Sequence, residues 1–166
     1  MFRRRRPPDR GDAHDSYTGL REQLLATKPA ELGLAPSARL PRVWAALMEL
    51  GMDRGTASLV TVADGTTSLY LSTGGGIIGG GQHEAVTRVA AAFLDAVEAR
   101  LELLRPMDAV PLPPSGAVRF NVLTYGSPRS AQTEESELAG GHHVLAPLFA
   151  AGHEVITQLR VLEDRG

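Results

Sequence analysis

The chain has 166 residues and a mass of 17.7 kDa, is 43% hydrophobic and 22% charged, carries a formal net charge of −2 and contains no cysteine. A single domain of this size buries roughly 70% of the surface its unfolded chain exposes, and the lack of cysteine excludes disulfide scaffolds, thiolate metal centres and cysteine nucleophiles. No apolar run reaches the roughly 20 residues of a membrane-spanning helix, and a charge near zero argues against a basic surface spread over the whole protein for nucleic acid.

The charge is unevenly placed. Residues 1–10 hold five arginines and one aspartate, +4, so the remainder sums to −6. The segment Met1–Asp15 has little to bury and reads as a disordered basic tail. Pro-Pro-Asp-Arg-Gly-Asp follows the arginines where a secretory or twin-arginine signal needs an apolar stretch, so the expected location is the cytoplasm. The run Arg3–Arg6 lacks interleaved aromatics, and its expected partner is at most a weakly held polyanion. Residues 16–38 read as a docking arm. Tyr17, Leu20, Leu24 and Leu25 give it a short amphipathic piece, and Pro29, Gly33 and Pro36 break any long helix.

The domain itself spans residues 39–162. Pro41 suits the first position of a helix and Gly51 the position just past its end, with Val43, Trp44, Leu47, Met48 and Leu50 as the apolar stripe between them. Trp44 is the single tryptophan and reads as core, with an interface anchor as the alternative. Ala57–Ala63 and Thr66–Thr73 flank Asp64-Gly65, a two-residue type I′ hairpin turn. That turn would set Val62 opposite Thr67, Val60 opposite Leu69 and Ser58 opposite Leu71, in a sheet covered on one side. Six glycines then fall between Gly74 and Gly81.

A helix is expected from His83 to Arg105, burying Val86, Val89, Ala90, Phe93, Val97, Leu101 and Leu104, with Pro106 as its stop. Pro106–Gly116 is an extended linker, and Ala117–Tyr125 alternates as a strand with Val118, Phe120 and Val122 on one face and Arg119 and Asn121 on the other. Gly126–His143 is polar, with one short helix across Ala131–Leu138. Pro147 opens a last helix through Leu148, Phe149, Val155, Ile156 and Leu159. The expected fold class is α+β, with a small sheet of about three strands, a hairpin plus one, and three helices in the order α-β-β-α-β-α.

Candidate chemistry is sparse. Gly74-Gly75-Gly76-Ile77-Ile78-Gly79 matches G-x-G-x-x-G, and with Gly80, Gly81 and His83 it could form a ligand or partner loop at a helix N-terminus. A dinucleotide site needs a parallel βαβ unit and an acid ending its second strand, but the strand here belongs to a hairpin and Glu98 falls in a helix. No Lys-Ser or Lys-Thr follows, which excludes a P-loop. The tract therefore reads first as a tight crossover, with Ile77 and Ile78 either plugging the core or forming an apolar tip.

His14, His83, His142, His143 and His153 show no zinc-hydrolase spacing, and no metal or other cofactor is expected. Glu134, Glu135 and Glu137 read as a solvated acidic run, and Asp64 serves its turn. Gly126-Ser127-Pro128 lacks the setting of a nucleophile elbow. No acid–base pair stands out for an enzyme.

The segment ADGTTSLYLSTGGGIIGGG, with TKPAELGL and RVWAALMEL before it and VRFNVLTYG after it, resembles a family of uncharacterised bacterial proteins, across roughly Leu20–Arg160. That resemblance implies that the glycine tract belongs to the folded domain and assigns no site residue. The element order is weakly similar to roadblock and longin-like modules, dimeric scaffolds and regulators of small GTPases, which then continue with further strands where this chain turns polar. The functional expectation is a non-catalytic cytoplasmic interaction or scaffold module, homodimeric because a three-stranded sheet leaves unpaired edges. The alternative is a small-ligand or phosphate-binding domain, enzymatic or not, that uses the Gly74–Gly81 loop.

Overall fold

The computed structural model describes residues 10–166. Of the expected tail Met1–Asp15, residues 1–9, with Arg3–Arg6, lie outside them. Helix α1 (Arg10–Ala26) begins inside the segment read as a tail. Then come β1 (Val43–Met52), β2 (Gly55–Val62), β3 (Thr67–Leu71), β4 (Gly76–Ile77), α2 (Glu84–Ala99), β5 (Arg105–Pro106), β6 (Ala117–Thr124), β7 (Arg129–Glu134), α3 (Glu135–Ala139) and α4 (Ala146–Arg165). The strands form one antiparallel sheet in the order β4-β3-β2-β1-β6-β7-β5.

This overturns the expected three-stranded sheet with three helices. Among the described residues there are seven strands and four helices. The largest error is at residues 41–50, where the expected first helix is the central strand β1. Its residues are buried on both faces, so the period-two signal of a strand is missing. A bulge hides it further: Val43 opposes Thr124 and Ala45 opposes Leu123, leaving Trp44 as the extra residue. Apolar residues at helical spacing resulted from a strand with no polar face.

The hairpin exists, but its register is one residue away from the expected one. Leu59 opposes Leu69, Ser58 opposes Tyr70 and Thr61 opposes Thr67. The Val62 N–H donates to the Thr66 carbonyl, and Gly65 takes φ +97°, so the loop has three residues closed by a left-handed glycine rather than two. A one-residue slip moves every β3 side chain to the other face. Leu69 and Leu71 thus join Leu59 and Ala57 under the helices, while Ser68 and Tyr70 share the opposite face with Ser58 and Val60.

Helix α2 ends at Ala99, earlier than the expected Arg105, and passes into a 3-10 turn over Leu101–Leu103 that still buries Leu101 and Leu104. Strand β7 replaces the first half of the short helix expected across Ala131–Leu138, of which only α3 is helical, because Arg-Ser-Ala-Gln-Thr-Glu has almost no apolar side chain to mark a strand. It is defined by its ladder to β6, from Ala117 opposite Glu134 to Val122 opposite Arg129. The β6 alternation is as expected: Val118, Phe120 and Val122 face the main core, and Arg119 and Asn121 the other side.

Both sheet faces are covered, not one. On the first, α2 and α4 bury Val86, Phe93, Leu94, Val97, Leu148, Val155 and Leu159 against Ala46, Met48, Leu59 and Phe120, each large side chain contributing about 1.5–3 kcal/mol. Gly152 brings α4 so close to the sheet that a Cβ there would meet the Met48 Sδ at 2.6 Å. Buried Glu98 of α2 pins the start of β1, accepting hydrogen bonds from the backbone N–H groups of Arg42 and Val43 and from Arg42 Nε. On the second face Trp44, Ala45, Leu47, Val60, Val62 and Leu123 form a smaller cluster covered by Leu24, Leu25, Leu34 and Met107. Trp44 is core there, its Nε1–H donating to the Thr124 carbonyl at 3.1 Å. The outermost strands β4 and β5 have two residues each and pair only with Leu69 and Tyr70 of β3 and with Arg129 and Ser130 of β7.

Candidate functional site

The second sheet face carries the most unusual group in the molecule. Glu49, at the middle of β1, is wholly buried. A buried carboxylate must be paired and hydrogen-bonded to persist, and every neighbouring element contributes. Arg21 of α1 forks onto it, with Nη2 to Oε1 at 2.7 Å and Nε to Oε2 at 2.8 Å. Asn121 of β6 donates to Oε1 at 2.8 Å, and Ser58 of β2 to Oε2 at 2.6 Å. Tyr17, one helical turn before Arg21 and so on the same face of α1, lies 2.5 Å from the Ser58 hydroxyl and 3.4 Å from Oε2.

The surroundings follow from this charge. Burial raises the Tyr17 phenol to about 12; the Ser58 hydrogen bond opposes that rise and the nearby Glu49 charge adds to it. Burial works against the Arg21 cation, but the Glu49 hydrogen bonds and Coulombic attraction outweigh it and hold its pKa above the ordinary value. The network continues outward through Arg119, whose Nε donates to Asn121 and whose Nη2 donates to Ser130 and to the Ala109 carbonyl. One carboxylate thus ties α1 on one side and the proline-rich 107–116 linker on the other to the sheet. Both of its oxygens accept bonds from within the fold, so its chemistry here is to clasp α1. Next to this clasp lies an apolar hollow of about 60 Å³ between Leu20, Leu24, Leu47 and Tyr70.

The glycine tract lies elsewhere, along the β3 edge and at the entrance to α2. Gly76 and Ile77 form β4, opposite Tyr70 and Leu69. Close packing accounts for three of its glycines: a Cβ would run into the Leu69 carbonyl at Gly76, the Leu159 side chain at Gly80 and the Gly65 carbonyl at Gly81. The two isoleucines take different roles. Ile77 is half-buried against the main core, whereas Ile78 is 74% exposed, more than any other large apolar side chain among the described residues. Beside it runs an open groove of about 320 Å³ walled by Gly76–Gly80, His83, Leu162 and Glu163. Gly74, Gly75 and Gly79 take positive φ in the turns around this strand. His83 precedes α2 without capping it through its side chain, and Glu84 occupies the first turn. Carboxylates at Glu84 and Glu163 oppose the phosphate that the sequence pattern suggested.

The remaining candidates are scattered. Glu134 ends β7, Glu135 and Glu137 open α3, and Glu137 accepts from the Thr133 hydroxyl at 2.9 Å. His143 accepts from the Leu145 N–H at the start of α4. His153, in α4, packs edge-on against Phe149 with its Nε2 buried and unpartnered, and burial lowers its pKa. Among the described residues no three His, Cys, Asp or Glu side chains gather as a metal site.

Sequence reasoning did not reach Glu49, Arg21 and Tyr17 as a unit. One signal was available: a lone acid inside the apolar run Val43–Met52 demands a partner if the run is buried. Comparison with known proteins finds no matching family model, curated protein or solved structure.

Proposed function

We propose that this chain is a non-catalytic interaction module of the cytoplasm that acts as a homodimer, with the Ile78 tip as its contact. The observation that supports the reading is the exposed Ile78 on a crossover packed closely at Gly76, Gly80 and Gly81, at the wall of a groove that also contains Ile77 and Leu162. A knob adjoining its own socket suits a two-fold contact, in which each protomer inserts Ile78 into the other's groove. The clasp around Glu49 fits a scaffold role, since its polar groups bond to one another. No helix among the described residues is long and apolar enough to cross a membrane.

Sedimentation equilibrium tests the reading. The wild-type chain is expected to dimerise, and Ile78→Asp to weaken the dimer by about two orders of magnitude, because two buried isoleucines at about 1.5 kcal/mol or more each are lost. Ile78 lies outside the core, so the variant stays folded with an unchanged far-ultraviolet spectrum and loses only the stability that dimerisation adds. A wild-type monomer at all concentrations, or a dimer indifferent to Ile78→Asp, refutes the proposal.

A further inference from the structure

We infer that α1 is the resident occupant of a docking face whose further ligand is a helix of a partner protein. That helix carries an arginine one turn after a tyrosine, as α1 does, with a side chain bulkier than leucine between them. α1 itself is lightly attached. Of its described side chains only Tyr17 is buried, and Leu20 stands 44% exposed. Residues 27–42 join it to β1, and the 3-10 turn among them, Pro29–Leu32, buries no side chain. A surface element with so few buried apolar contacts opens locally while the core stays folded.

The face that α1 leaves when it lifts is specific. Leu47, Val60 and Tyr70, from the adjacent strands β1, β2 and β3, form an apolar floor beside Glu49. Asn121 and Ser58 still donate to the two Glu49 oxygens, but Arg21 is the only cation paired with it among the described residues. Arg119, opposite Glu49 on β6, directs its donors to Asn121, Ser130 and the Ala109 carbonyl instead. A carboxylate on an apolar floor is strongly disfavoured without a cation. Two oxygens held in fixed positions match the planar fork of a guanidinium better than an ammonium. The open face therefore selects an arginine-bearing amphipathic helix.

α1 fills this face incompletely. The hollow of about 60 Å³ lies between Leu20 and Leu24 on the helix and Leu47, Val60 and Tyr70 on the sheet. At the rate found for residual cavities, filling that volume is worth about tenfold in affinity. A helix with the same tyrosine and arginine and a larger apolar group at the Leu20 position therefore displaces α1. Ile78 takes no part in this face, so the docking and the dimer contact stand or fall separately.

The test titrates labelled peptides spanning residues 10–26 into the full chain and follows fluorescence anisotropy. The peptide with Leu20→Phe is expected to saturate the wild-type chain and to bind about tenfold more tightly than the native-sequence peptide. Adding Arg21→Met to that peptide should abolish binding. Arg21→Met in the chain loosens the resident helix and should tighten the Leu20→Phe peptide by at least about tenfold, because more of the chain then has the face open. Hydrogen exchange on the wild-type chain, which needs no variant, should show α1 amides exchanging faster than those of β1. The inference is overturned if neither peptide saturates, if the peptide lacking the arginine binds as well, if Arg21→Met in the chain leaves the affinity unchanged, or if α1 amides are as protected as those of β1. Native-sequence peptide binding as tightly as Leu20→Phe would make α1 of a second copy the occupant, and that too overturns the partner helix.

Discussion

Replacing Arg21 with methionine probes the clasp most directly. The substitution keeps most of the aliphatic stem and removes the fork that reaches both Glu49 oxygens. Glu49 would remain wholly buried with hydrogen bonds only from Asn121, Ser58 and Tyr17. Removing one member of a fully buried ion pair costs about 3–5 kcal/mol. Here α1 sits at the surface and can lift to let water reach the carboxylate, so the cost is capped near the lower end, about 3 kcal/mol. For a domain of this length that lowers the melting temperature by about 6–12 °C. Urea unfolding followed by fluorescence is the assay, because the single tryptophan, Trp44, lies in the cluster on the clasped face. A double-mutant cycle with Glu49→Gln isolates the pair, with an expected coupling of about 2 kcal/mol, within the range for groups in one network. A cost under about 0.5 kcal/mol, typical of an exposed pair, or a coupling near zero, would refute the clasp.

Two further outcomes follow from the geometry. Burial lowers the His153 pKa, so between about pH 6.5 and the lower folded value the unfolded chain binds more protons and stability falls as the solution is acidified. Melting temperatures measured from pH 7.5 to 5 should drop more steeply in the wild type than in His153→Leu, and parallel profiles would count against a buried neutral imidazole. In the glycine tract, Gly81→Ala should cost about 1–3 kcal/mol, because its Cβ meets the Gly65 backbone carbonyl. Gly75→Ala has open space around its Cβ and carries only the penalty of positive φ, about 1–2 kcal/mol. Denaturant midpoints that rank Gly75→Ala as the more damaging would reverse this account of the tract.

Local signals in the chain were sufficient wherever one face of an element was polar. Helix α2 and helix α4 alternate with solvent at helical spacing, and β6 alternates at period two, so their inward faces could be read directly. Asp64-Gly65 marked the turn, but nothing in the glycine tract announces that Gly76 and Ile77 pair with β3 as an edge strand. The split between Ile77 and Ile78 was not legible, since two adjacent isoleucines look alike until a strand partner assigns each to a side.

Tertiary packing decided the rest. β1 became a strand because β2 and β6 flank it and both its faces are covered, conditions that erase the pattern by which a strand is recognised. The hairpin register was set by where Leu69 and Leu71 could be buried, not by the most favourable two-residue turn. β7 exists through its ladder to β6, with hardly an apolar residue of its own. Glu49 lies 28 residues from Arg21 and 72 from Asn121. No short window of sequence could join them, because a buried charge selects its partners through space and reveals them only once the sheet has formed.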